Sequence, residues 1–185
     1  LESANPGSLY ELVSMRDSVY HLLRLLGSET VDEMLSGVLQ SLPSLAKELG
    51  KEPAAVRIDD NGYRVRTEAG GILQNVFTHL LRNSIDHGIE TPDVRTALGK
   101  PAAGTIHLEV GVDQGMLQIT LCDDGRGLAL DRIRNIAVER GWIGAEERPS
   151  DEDIAQFIFR PGFSTAETVT EISGRGVGMD AVLEF

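Results

Sequence analysis

The sequence predicts an α/β (α+β) fold, and three observations carry that prediction. Apolar residues recur at helical spacing from Leu9 to Leu26, from Val31 to Leu49 and from Ile72 to Ile85. They alternate with polar residues from Thr105 to Val112 and again from Met116 to Cys122, the pattern of strands with one buried face. The turn DQG between those two runs makes them a hairpin.

Each element follows from a local signal. Residues 1–7, LESANPG, read as a flexible lead-in. The first helical stripe ends at Gly27; Thr30 with Glu33 three residues on is a capping box for the second, and Pro43 is expected to bend or restart that helix. Two amphipathic helices joined by a short turn read as an antiparallel hairpin, residues 1–44, that either packs on its own domain or dimerises. In VRIDDNGYRV, Asn61 and Gly62 predict a β-hairpin over 55–65. A long helix over 71–87 is closed by Gly88, and its His79, Asn83 and Asp86, at relative positions 0, 4 and 7, share one face. A short segment over 92–98 precedes the turn GKPAAG, and further helices are expected over 130–140 and 151–159, followed by a glycine- and threonine-rich run and the start of a last helix.

Composition narrows the chemistry. A chain of 185 residues, 41% hydrophobic, suits one core with a helical appendage. A net charge of −12 argues against a nucleic-acid partner, whose phosphates need Lys and Arg, but leaves ATP open because a divalent ion supplies charge locally. The single Cys122 excludes an intrachain disulfide and a thiolate zinc cluster. Without a bilayer-length apolar run or a signal-peptide pattern the segment reads as cytoplasmic, within a parent protein that a membrane can still hold.

Four stretches point to a nucleotide pocket: HLLRNSIDHGIE (79–90), DDGRGL (123–128), PGFST (161–165) and GRGVGMD (174–180). Asp123 at a strand exit, beside Gly125 and Gly127, describes a carboxylate held next to a bulk-free turn, able to read the edge of a flat base. Asn83 offers a neutral oxygen to Mg²⁺, and His79 one turn earlier can reach a γ-phosphate; the alternative is a solvated polar face. Gly174, Gly176 and Gly178 let backbone amides approach phosphates ahead of a helix N-terminus. No Rossmann unit and no P-loop is present.

In this order and at these separations the four stretches resemble the ATP-binding boxes of chemotaxis-type histidine kinases of the CheA family, within the superfamily of gyrase, heat-shock chaperone and MutL ATPases. The resemblance covers 45–185, and DHGIE and PGFST are its more specific parts. It implies a Bergerat-type two-layer sandwich, a mixed and mainly antiparallel sheet with helices on one face, preceded by the helical hairpin as a dimerisation segment. It also implies that Asn83 is the Mg²⁺ ligand, that His79 works near the γ-phosphate, and that Asp123 accepts from the adenine amino group. Asp86, His87, Gly125 and Gly127 then line the nucleotide site. Phe163, Ser164 and Thr165 belong to a lid, and Gly174, Arg175, Gly176, Val177, Gly178 and Met179 cradle phosphates.

Mg²⁺-ATP would be the phosphoryl donor to a histidine on a separate phosphotransfer domain, upstream of a response regulator. The family continues beyond Phe185 through the rest of the last helix and a strand pair, so the ATP-binding region is expected to be C-terminally incomplete. An anti-sigma-type serine kinase and a nucleotide-binding regulatory module remain the alternatives. None of the other histidines has an acceptor context: His21 is followed by Leu22, His87 sits at a helix end and His107 alternates within a strand. Trp142 reads as a packing residue.

Overall fold

The computed structural model describes residues 13–20, 22, 27–160 and 163. The chain forms two compact units, Leu1–Gly125 and Arg126–Phe185. In the first, helix α1 (13–20) is exposed along its length, while β1 (Ser28–Glu29) leads into α2 (Val31–Glu48). The expected capping box is present: Thr30 Oγ1 accepts from the Glu33 amide at 3.1 Å, and Glu33 Oε2 accepts from the Thr30 amide at 2.8 Å. The helix runs unbroken through Pro43 because this residue lies on the exposed side, so the expected restart does not occur.

Residue 44, the expected domain boundary, falls inside α2. The α2 side chains Val31, Leu35, Val38, Leu42 and Ala46 are buried in one cluster with Phe77, Leu81 and Ile85 of the following helical segment and with Ile106, Leu108 and Val110 of the sheet. Its apolar face is thus taken up by the same core that the sheet and the long helix share.

Strands β2 (Ala55–Asp59), β4 (Thr105–Asp113) and β5 (Met116–Asp123) form a mixed sheet in the order β2-β4-β5, with β2 parallel and β5 antiparallel to β4. Helices on one face and this sheet make the two layers. The β4–β5 hairpin turns on Gln114 and Gly115, at φ 48° and 82°, in the expected place. Alternation buries Ile106, Leu108 and Val110 but fails at Val112, which is half exposed near the hairpin tip.

The expected hairpin over 55–65 is corrected. Asn61 and Gly62 do turn the chain, at φ 51° and 74°, and the Asp60 carboxylate accepts from the Gly62 amide at 2.9 Å. The two arms then part. β2 takes β4 as its partner, aligning Val56 and Ile58 with buried Ile106 and Leu108, while β3 (Val65–Arg66) pairs with β1 in a separate two-stranded ribbon. Burial along a nine-residue strand outweighs the local turn signal.

Helix α3 (Thr67–Asn83) begins earlier than expected and ends differently: Ser84–Gly88 is a π turn, closed by the Ile89 amide donating to the Ser84 carbonyl at 2.7 Å. Helix α4 (Pro92–Ala97), with Pro at its start, completes the first unit.

The second unit contains α5 (Leu130–Glu139), α6 (Asp151–Gln156) and a 3₁₀ turn (Phe157–Phe159), with Ile133, Ala137 and Ile154 buried. Trp142 packs on Phe157 at 5.7 Å between centroids and is flanked by Arg140 and Arg160, consistent with a packing role. Among the described residues no helix is long and apolar enough to cross a membrane.

Candidate nucleotide site

The site grows from two chain reversals brought face to face. One is the π turn at the end of α3. His79 and Asn83 stand one turn apart on α3, both half-buried. The π turn is wider than an α-turn, so the expected common face breaks after Asn83: Asp86 and His87 are exposed, with His87 Nε2 3.7 Å from the Asp86 carboxylate. Lys51 fixes the turn by donating from Nζ to the carbonyls of Ile85 and Asp86, at 2.7 and 2.6 Å.

The other reversal is Asp123–Gly125 at the exit of β5. Asp123 Oδ1 accepts from the Gly125 amide at 3.0 Å. A Cβ on Gly125 would run into the Gly88 carbonyl, and one on Gly88 would come within 3.0–3.2 Å of the Asp123 carboxylate. Close approach to backbone therefore requires glycine at 125, whereas at 88 a side chain would make the Asp123 carboxylate give by a few tenths of an ångström, and the approach carries Asp123 onto the end of the Asn83-bearing segment. A carboxylate has acceptor capacity beyond the one bond to Gly125, and the adjoining wall has no side-chain bulk. These residues fit the amino edge of a purine.

A buried polar network lies behind the second reversal, and the sequence reading assigned it no role. Arg95 has no exposed surface although it sits on α4, while its neighbours Val94 and Leu98 are exposed. Its Nη1 donates to Glu90 Oε2 at 3.0 Å and to the Asp124 carbonyl at 3.2 Å; its Nη2 donates to Asp124 Oδ2 at 2.9 Å and to the Ala103 carbonyl at 3.4 Å; its Nε donates to the Pro101 carbonyl at 2.7 Å.

Lys100 Nζ donates at 2.9 Å to Glu90 Oε1 and to the carbonyls of Asp124 and Gly125. Its hydrogen bond to Glu90, joined by that of Arg95, outweighs burial and holds the Glu90 carboxyl down at about 2. Burial pushes Asp124 up, but the Thr105 amide at 2.9 Å and Arg95 together bring it below its ordinary value. The signal in the sequence was the run DHGIETPDVRTALGK itself, whose Glu, Arg and Lys look solvent-facing on any helical wheel.

Of the remaining expected site residues, Gly127 and Phe163 belong to the second unit. Gly127 adopts φ 68°, and the Phe163 ring lies 6.1 Å from that of Trp142. Ser164, Thr165, Gly174, Arg175, Gly176, Val177, Gly178 and Met179 lie outside the described residues, as does His21. His107, on the less buried sheet face as expected, is tied by Nε2 to the Asp59 carboxylate at 2.7 Å.

Comparison with known proteins identifies the family of the chain. Residues 69–185 match the family described as histidine kinase-, DNA gyrase B-, and HSP90-like ATPase. The chain is 44% identical over 154 residues to a gliding motility regulatory protein of Myxococcus xanthus, covering 80% of this chain and 20% of that one. It is 35% identical over 182 residues to the chemotaxis protein CheA of Rhizobium meliloti, covering 97% and 24% respectively. A solved histidine kinase domain from the Erythrobacter litoralis EL346 blue-light activated histidine kinase aligns at 18% identity and a TM-score of 0.37, over 71% of this chain and 56% of that one. The chain thus spans about a fifth to a quarter of the length of the first two relatives. Since the family match takes in more than half of the chain, both facing reversals included, this chain belongs to the histidine kinase-, DNA gyrase B- and HSP90-like ATPase family and within it is similar to the ATPase region of chemotaxis CheA proteins.

Proposed function

We propose that this chain is the ATP-binding catalytic region of a CheA-like histidine kinase, acting in the cytoplasm, where ATP is available. The observation that carries the reading is the close approach of the Asp123–Gly125 reversal to Gly88, which sets a base-reading carboxylate beside the segment that bears Asn83. In this reading Asp123 accepts from the adenine amino group, and Gly125, seated on Gly88, orients it through its amide. By resemblance alone, Gly127, Phe163 to Thr165 and residues 174–179 would also serve the nucleotide. The Asn83 side-chain oxygen is a ligand for Mg²⁺, with His79 one turn before it near the γ-phosphate. The metal supplies charge neutralisation on the phosphate oxygens.

The chain's contribution is mostly positioning. An acceptor imidazole nitrogen on a separate phosphotransfer domain uses its lone pair to bond to the γ-phosphorus; the bond to the bridging oxygen breaks, and ADP leaves with that electron pair. A response regulator downstream and a homodimer through the N-terminal helices complete the assembly. With the apolar face of α2 in the core, dimerisation falls to the first helix, where Val13, Met15, Val19 and Tyr20 are exposed.

The test mixes the chain with γ-labelled ATP and candidate acceptor domains. Acid-labile, base-stable label on a histidine of the added domain is the expected result. Label on serine would favour the anti-sigma-type kinase, and ATP binding without transfer to any acceptor would favour a regulatory module. Asp123→Asn should weaken ATP by about 1.5–3 kcal/mol, the loss of a charged hydrogen bond. Asn83→Ala should weaken Mg²⁺-ATP more than metal-free nucleotide, as calorimetry with and without the ion would reveal.

A further inference from the structure

Lys100 is a partly exposed cation beside a candidate nucleotide pocket, the usual profile of a phosphate ligand, yet its three ammonium protons are already directed elsewhere. They meet Glu90 Oε1, the Asp124 carbonyl and the Gly125 carbonyl, each at 2.9 Å. An ammonium has three donors and no more. The two carbonyls belong to the residues that directly follow Asp123, and Gly125 also supplies the amide that orients Asp123 Oδ1 at 3.0 Å.

Glu90, from which Lys100 is held, is itself buried and fixed on its other oxygen by Arg95 at 3.0 Å. Arg95 in turn binds both the carboxylate and the carbonyl of Asp124. A rigid chain of contacts therefore runs from the core of the first unit to the turn that aims Asp123.

We propose that Lys100 is a positioning residue for base recognition: by clamping the carbonyls of Asp124 and Gly125 against Glu90, it sets the direction of the Asp123 carboxylate and so the preference for an amino-bearing purine. This rests on Asp123 being the adenine acceptor. Removing the ammonium leaves two carbonyls that water can satisfy and Glu90 with Arg95 as its remaining charged partner, so the turn loosens while the buried carboxylate keeps a counter-charge. The loss falls on the directional hydrogen bond and spares the nonspecific contacts of the nucleotide.

The experiment measures binding of ATP and of inosine triphosphate, which carries a carbonyl in place of the amino group, to the full chain and to Lys100→Met and Lys100→Arg, with a melting curve for each. The unmodified chain should prefer ATP. Lys100→Met should lose about tenfold in ATP affinity and much less for inosine triphosphate, so that the preference contracts, and Lys100→Arg should restore part of it. A preserved preference in Lys100→Met, with or without a lower Tm, overturns the role of Lys100 alone. Equal binding of the two nucleotides by the unmodified chain instead overturns the adenine reading, and the proposal with it. If Lys100→Met does not fold, Lys100→Gln carries the same comparison.

Discussion

The segment that bears Asn83 and the turn that bears Asp123 meet at Gly88 and Gly125, but they are held from behind in opposite ways. Phe77, Leu81 and Ile85 anchor α3 and its π turn in a dry core shared with α2 and the sheet. The Asp123–Gly125 turn instead leans on Arg95 and Glu90, both buried, and on partly exposed Lys100. Apolar burial is nondirectional and leaves the first element free to settle by small shifts. The charge network is directional, and each of its bonds specifies where an atom of the turn must be. A carboxylate that must meet one edge of a base is served by the second kind of support.

The largest expected effect breaks the charged support. Arg95→Met removes the fully buried guanidinium, leaves buried Glu90 with Lys100 as its remaining partner and strips the carbonyls of Pro101 and Ala103 of their donor, at a cost of about 3–5 kcal/mol. Urea unfolding would measure it; a loss below about 1 kcal/mol would mean that the network contributes no net stability.

Next is Leu81→Ala, which attacks the apolar support and should cost about 2–5 kcal/mol through lost burial and a cavity. The two substitutions should differ in consequence as well as size. Surviving Leu81→Ala protein should retain its preference for ATP over inosine triphosphate, whereas Arg95→Met should lose it.

Acid sharpens the same contrast. The Glu90 carboxyl lies at about 2 in the folded chain, mainly through its hydrogen bond from Lys100, against an ordinary 4.5. Between those values the unfolded chain binds the extra proton, so the stability Glu90 contributes is whole above about pH 4.5 and is lost as pH falls towards 2. Asp124, also lowered, adds to the loss in the same direction. Hydrogen exchange should therefore show the amides of Asp124 and Gly125 loosening on acidification before those of Leu81 and Ile85. Simultaneous loosening would mean that the two supports are one cooperative unit.

The smallest effect touches neither support directly. Thr30→Ala deletes the α2 cap and should cost about 0.5–2 kcal/mol in chemical denaturation, leaving the nucleotide preference unchanged.

What the sequence determined by itself is whatever a few neighbouring residues decide. The Thr30–Glu33 box, the Gln114–Gly115 turn and the alternation of Ile106, Leu108 and Val110 all act within about one turn or one pleat. Their chemistry is therefore written in adjacent letters. The tertiary structure decided whatever depends on a distant partner. Asn61–Gly62 made its turn, but β4 claimed β2, because pairing Val56 and Ile58 with the buried side of β4 removes more apolar surface from water than a local hairpin would. Arg95 shows the same limit most sharply. Helical periodicity favours burying Val94 and Leu98, yet the arginine is inside, since Asp124, 29 residues away, together with Glu90 and three backbone carbonyls satisfies all of its donors at once. A buried charge is tolerable only when its partners are assembled around it, and no stretch of sequence contains that assembly.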